Sequence, residues 1–194
     1  MSRLRVIAGT ARGRKLRLVP GDSTRPITDR VKESLFNILS QDIPASRWLD
    51  LFAGTGSVGI EALSRGAEFV RFIDRNKQAF DTVQYNLELT GLEEQAQLLL
   101  QDAFATLARQ PDKQFDYIYI APPQYKDMWH EALKTLDENP DWMVEDAWVI
   151  VQIDPVEYQQ VQLQNLSEFD QRRYGSTLLV FYERQEHSND HAND

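Results

Sequence analysis

From residue 47 onward the apolar positions switch back and forth between a period of two and a helical period, the pattern of strands alternating with helices. "RWLDLF" reads as a strand and "SVGIEALSRG" as a helix closed by Gly66. "EFVRFID" is a strand, and "KQAFDTVQYNLELTG" is a helix closed by Gly91. The order continues with the strand "AQLLLQD", the short helix "AFATLARQ", the strand "FDYIYIAPP", the helix "YKDMWHEALKTLDE" and the strand "DAWVIVQID". A further helix is expected over Val156 to Leu163. "FDQRRY" and "TLLVFYER" then flank Gly175-Ser176 as an antiparallel hairpin. This alternation predicts an α/β three-layer sandwich with a mostly parallel sheet, because parallel crossovers place helices on both faces.

Ahead of this pattern, "RLRVIAG" and "GRKLRLV" alternate around Gly9 and Gly13 as the two arms of a hairpin, and "PGDSTRPITDR" is turn-rich. A helix follows from Thr28, with Val31, Leu35, Phe36, Ile38 and Leu39 at helical spacing and Thr24 or Thr28 organising its start.

Charge divides the chain in the same place. The net charge is −9, but residues 1–35 hold nine Lys/Arg against three Asp/Glu, leaving −15 on the remainder. That asymmetry reads as a basic arm on an acidic body, or as a solvated face. Three segments are expected: a basic arm over 1–26, a core domain over 27–184 and a polar, disordered tail over 185–194. The 194 residues suffice for one core, and no apolar stretch approaches a membrane span or a secretory signal, so a soluble cytoplasmic protein is expected. There is no cysteine, and two of three histidines, His187 and His191, fall in the tail, which disfavours thiol chemistry and a His- or Cys-built metal site.

The richest stretch is "LDLFAGTGSVGIEAL": a strand carrying Asp50, then Gly54, Gly56 and Gly59 opening a helix. Small residues let the backbone turn sharply beside a ligand while the helix start offers free N–H groups. The spacing matches a dinucleotide fingerprint, with Asp74 ending the next strand where a ribose-binding acid belongs. S-adenosylmethionine binding shares this layout, and two features favour it over a nicotinamide. Asp50 before the turn suits a cationic sulfonium or ammonium and repels a pyrophosphate, and the chain ends in a reversed hairpin where a second mononucleotide half would stand. Asp102 adds an acid able to hold an adenine amine, or to cap the helix "AFATLARQ", or both.

"GTARGRKLRLVPGDSTRPITDRVKESLFNIL", "LDLFAGTGSVGIEALSRGA" and "FIDRN" together resemble the RsmD family, the bacterial small-subunit 16S ribosomal RNA guanine-N2 methyltransferases, over about residues 3–184. The resemblance implies a Rossmann-like seven-stranded class I methyltransferase fold with a basic N-terminal β-hairpin, and S-adenosyl-L-methionine as donor. It implies small-subunit ribosomal RNA as partner, in a ribonucleoprotein particle. Asp50, Gly54 and Gly56 would contact the methionine end, Asp74 the ribose hydroxyls, and Asp102 with Ala103 the adenine, with Phe52 and Arg75 also among the cofactor-binding residues. No assembly motif is visible, and a monomer is expected.

Relatives that methylate exocyclic amines end the fourth strand in Asp/Asn-Pro-Pro-aromatic. An exocyclic amine is a poor nucleophile, and two acceptors on its N–H bonds aim the lone pair. One acceptor is the Asp/Asn side chain; the other is a backbone carbonyl that the prolines hold extended. This chain reads Ala121-Pro122-Pro123-Gln124-Tyr125 instead. Either Gln124 or another group supplies the acceptor and Tyr125 stacks on the base, or the protein is a catalytically weak RNA-binding or assembly factor on the same fold. On the arm, Arg12, Arg14, Lys15 and Arg17 are placed to bind phosphates, while Arg25 and Arg30, flanking a Pro turn, either close over the cofactor or tie the arm to the body.

Overall fold

The computed structural model describes residues 4–21, 26–124 and 126–185. Its elements are α1 (Asp29–Leu39), β1 (Arg47–Asp50), α2 (Ser57–Ser64), β2 (Phe69–Asp74), α3 (Lys77–Thr90), β3 (Ala96–Leu100), α4 (Ala103–Leu107), β4 (Phe115–Ile120), α5 (Met128–Glu138), β5 (Met143–Ile153), β6 (Leu166–Tyr174) and β7 (Thr177–Arg184). They form one seven-stranded sheet in the order β3-β2-β1-β4-β5-β7-β6. The first five strands are parallel, and β7 runs antiparallel between β5 and β6. The expected mostly parallel α/β sheet is therefore present, with the chain reversing at its last hairpin.

Alternation along the strands divides the core in two. Trp48, Phe72, Tyr117, Ile150 and Phe181 face one side and pack with α1, α2 and α3. Leu49, Ile73, Ile118, Val149 and Val180 face the other, against α4 and α5. Near-continuous apolar strands are what a sheet covered on both faces requires.

The basic segment runs antiparallel to itself, with Arg5 opposite Lys15, Val6 N–H on the Arg14 carbonyl at 2.9 Å and Leu16 N–H on that of Leu4 at 2.9 Å. Its apolar residues Leu4, Val6, Ala11 and Leu16 join the core beside α1 and α2. Polar bonds fix it there. The wholly buried Glu61 carboxylate accepts from Ile7 N–H at 2.8 Å and Ala8 N–H at 3.0 Å. Asn86 accepts from Arg17 N–H at 2.8 Å and donates to the Arg17 carbonyl at 3.0 Å. Gly9, with φ +83°, lies so close to α2 that a Cβ there would meet the Ser64 carbonyl oxygen at 1.7 Å.

Lys32 contributes to the basic count of this segment but not to its surface. It is wholly buried, 3.3 Å from Glu61, and donates to the Arg5 carbonyl at 2.6 Å and to Ser57 Oγ at 2.9 Å. Burial lowers its pKa, and Glu61 opposes that shift.

The helix expected over Val156 to Leu163 is absent. Asp154 caps a single 3-10 turn, Pro155–Glu157, and the chain then runs irregularly to β6. Val156 is 78% exposed, and Tyr158, Val161 and Leu163 pack against the core from this irregular stretch. The Asp137 carboxylate holds this approach, accepting from the N–H groups of Gln164, Asn165 and Leu166. β6 accordingly starts at Leu166, three residues before the expected Phe169, and β5 starts at Met143, before Asp146. The tail beyond Gln185 lies outside the described residues.

Candidate active site

The sheet order reverses between β1 and β4, and a crevice opens at their carboxyl ends, as in other open α/β sheets. It forms a cavity of about 600 Å³, a volume suited to a small organic cofactor.

The floor is the turn after β1. Gly54 and Gly56 have φ +55° and +75°, and Gly56 precedes the first residue of α2, so the left-handed backbone turns the chain from strand to helix within a few residues. Gly59 serves packing: a Cβ there would lie 2.3 Å from the Phe72 ring, so only glycine lets α2 sit this close to β2. Gly54 N–H donates to Asp74 Oδ2 at 2.9 Å, and Asn76 N–H donates to Oδ1 at 2.8 Å, which aims the Asp74 carboxylate across the turn.

Asp50 is 2% exposed and lines the cavity, and its Oδ1 has no hydrogen-bond partner. Burial, and after it the charge of Asp74, raises its pKa to about 8, against the opposing N–H of Phe52. A buried acceptor without a donor is costly, and a cationic group entering the cavity would relieve that cost. The residues present thus fit a ligand carrying an ammonium or sulfonium.

The other sequence-predicted residues fall around this floor. Phe52, Gly54, Asp74, Arg75, Asp102 and Ala103 line the cavity; Gly56 is buried behind the turn. Asp102 caps α4, accepting from Ala105 N–H at 3.0 Å, and still borders the cavity, so its two expected roles are compatible. Arg75 lies 3.8 Å from Asp102 with both side chains partly in water, a weak contact. Ala121, Pro122, Pro123 and Gln124 form the far wall. Tyr125 lies outside the described residues.

The described basic residues of the arm and of the start of α1 do not line the cavity. Arg12, Arg14 and Lys15 are exposed on the antiparallel segment, and the Arg17 guanidinium stacks on Tyr85 at 3.5 Å. Arg30 is exposed on α1; Arg25 lies outside the described residues. What joins them to the cavity is the chain between, whose Pro26, Ile27 and Thr28 line its edge, with Thr28 capping α1 by accepting from Val31 N–H at 3.3 Å.

Several lining residues have no role in the sequence reading, among them Tyr119, Lys126, Gln152, Ser176 and Thr177. The Tyr119 hydroxyl donates to Gln152 Oε1. The available signal was Gln152 itself, an amide near the end of the apolar strand "WVIVQI". Among the described residues no group of His, Cys, Asp or Glu is arranged to hold a metal, and no helix is long and apolar enough to cross a membrane.

Comparison with known proteins follows the same lines. The Bacillus subtilis protein YlbH is 39% identical over 183 residues, covering 93% of this chain and 99% of its own length. The ribosomal RNA small subunit methyltransferase D of Haemophilus influenzae is 40% identical over 152 residues, covering 77% of this chain and 78% of its own. Among solved structures, yhhF of Escherichia coli superposes with a TM-score of 0.84 at 30% identity, over 94% of this chain and 98% of that one. The family model described as conserved hypothetical protein 95 matches residues 4–183. By family model, relatives and fold alike, the chain belongs to the conserved hypothetical protein 95 family, the RsmD family of ribosomal RNA methyltransferases.

Proposed function

We propose that the protein transfers a methyl group from S-adenosyl-L-methionine to the exocyclic N2 of a guanine in small-subunit (16S) ribosomal RNA. The observation that carries this reading is the buried carboxylate of Asp50, one oxygen of which has no hydrogen-bond partner, at the base of a glycine turn and inside the same cavity as the Ala121-Pro122-Pro123 wall. When bound, S-adenosylmethionine supplies an electrophilic methyl on a sulfonium. Everything else falls to the chain.

In this reading Asp50 holds the ammonium of the methionine end, Asp74 accepts from ribose hydroxyls, and Asp102 with Ala103 borders the adenine. The glycine turn brings backbone N–H groups within reach of the ligand carboxylate. The prolines at 122 and 123 have no N–H to compete for the carbonyls of their turn, leaving those carbonyls free to accept from the base. Arg12, Arg14, Lys15 and Arg17 bind phosphates and set the register of the RNA, Arg25 and Arg30 close over the cofactor or tie the arm to the body, and the target base leaves its stack to enter.

Residues 1–26 act as the RNA-facing arm of a methyltransferase domain spanning 27–184. The enzyme works as a monomer on a ribonucleoprotein particle in the cytoplasm. The acidic remainder, at −15, repels RNA elsewhere and favours one approach.

The test is transfer of labelled methyl from S-adenosylmethionine to small subunits from a strain lacking this protein. Label in the RNA at a guanine N2 is expected. No transfer, with S-adenosylhomocysteine still bound, would establish the rival reading of a binding or assembly factor.

A further inference from the structure

We propose that Gln152 supplies the side-chain acceptor that Ala121 lacks, and that Tyr119 is the positioning residue that holds its amide. The inference rests on the methyl-transfer reading above.

The strand register places these residues together. Tyr119 pairs with Ile150 and Ile120 with Val151, so the next step along both strands sets Ala121 beside Gln152. With a period of two, Tyr119, Ala121 and Gln152 share one face of the sheet, and all three line the cavity that also contains Asp50. The Tyr119 hydroxyl donates to Gln152 Oε1, which fixes the amide and leaves its oxygen a second lone pair. Burial, and after it the charge of Asp50, raises the Tyr119 pKa well above its ordinary value, so the phenol stays a donor at neutral pH. Gln124 stands in the loop beyond the strand; Gln152 stands within β5 and is anchored. An alanine at 121 leaves open the space beside Gln152 that an aspartate side chain would occupy.

In the step assigned to this wall, the amine lone pair forms an N–C bond to the methyl as the C–S bond breaks, and its electron pair stays on sulfur as a neutral thioether. The methylated nitrogen then releases one proton to water at the cavity mouth. Gln152 is a neutral amide and takes no proton. Oε1 accepts one N–H of the amine, a backbone carbonyl of the Ala121-Pro122-Pro123 turn accepts the other, and the lone pair is left facing the methyl.

Single-turnover and steady-state methyl transfer to small subunits, beside calorimetric titration with S-adenosylhomocysteine, tests this on wild type, Gln152→Ala, Tyr119→Phe, Ala121→Asp, Gln152→Ala/Ala121→Asp and Tyr119→Phe/Gln152→Ala. Gln152→Ala should lose about 10²–10³-fold in rate while S-adenosylhomocysteine affinity is retained. Ala121→Asp should restore at least about tenfold in rate to Gln152→Ala. Tyr119→Phe should lower kcat with KM held, and should add nothing once Gln152 is alanine. Gln152→Ala at the wild-type rate overturns the assignment. So does a loss that Ala121→Asp does not restore, or one that travels with loss of S-adenosylhomocysteine binding. An inactive wild type overturns the methyl-transfer reading itself and this inference with it.

Discussion

Asp50 and Asp74 stand at the carboxyl ends of neighbouring parallel strands, and the charge of the second adds to burial in holding the carboxyl of the first near pH 8. At pH 7 the ligand-free protein therefore keeps Asp50 mostly neutral, and a cationic ligand must ionise it. S-adenosylhomocysteine should bind about tenfold more tightly per pH unit between pH 6 and 7, levelling off as pH approaches 8, and should release close to one proton at pH 7. Calorimetry in buffers of different ionisation enthalpy reads the proton directly. Asp50→Asn should bind weakly and without this slope.

The same shift fixes the sign of a stability trend. Asp50 is raised from an unfolded value of 3.8, so the folded chain keeps a proton that the unfolded chain loses across the window from about 4 to 8. Its contribution to stability is present below that window and is lost as pH rises through it. Urea midpoints of the ligand-free protein at pH 5 and 8 should diverge in that direction, and Asp50→Asn should narrow the difference.

Glu61 is the partner of a buried lysine and the acceptor for two N–H groups of the basic segment. Glu61→Gln leaves Lys32 buried without its counter-charge and should cost about 3–5 kcal/mol of stability in a urea titration. Lys32→Met with Glu61→Gln should cost less than Glu61→Gln alone, because the uncompensated charge is gone.

Gly9→Ala has a more local effect. The added methyl must displace the Ser64 carbonyl, and the positive φ is strained for alanine. The basic segment should lift from α2. Affinity for small subunits should fall while S-adenosylhomocysteine binding holds.

Arg14 and Lys15 are exposed and lie outside the cavity lining. Replacing both by glutamine should weaken binding to small subunits and reduce the slope of log affinity on log salt by about one for each phosphate no longer neutralised. Cofactor affinity should not move.

What the sequence made legible was local. The Gly54 and Gly56 turn after Asp50 and the Asp102 cap depend on residues a few positions apart, and Asp74, 20 positions from Gly54, is placed by the strand that follows α2. Lys32 was legible only as a positive charge, because its burial depends on the arm folding back over α1 and α2 and on Glu61, far along the chain. The Tyr119–Gln152 pair was hidden for a similar reason: two residues 33 positions apart meet only once β4 and β5 are in register. Val156 to Leu163 misled for the opposite reason. The capping signal at Asp154 is real, but it starts only one turn, and the Asp137 carboxylate holds the end of the stretch that follows.

The placing of β7 between β5 and β6 bears on the order in which the site is assembled. Among the described strands β6 neighbours β7 alone, so when it emerges it has nothing to pair with until the strand after it is made. The last two strands must then form as a unit and settle on the exposed edge of β5 together. Gln152 lies on that edge, and Ser176 and Thr177 at the turn of the hairpin complete the wall beside it. The half of the cavity holding Asp50, Asp74 and Asp102 can be shaped first, whereas the half beside Gln152 waits for the final strand. A chain stopped short of Thr177 would keep the residues around Asp50, and Gln152 too, but would leave the edge of β5 that carries Gln152 without its neighbouring strand.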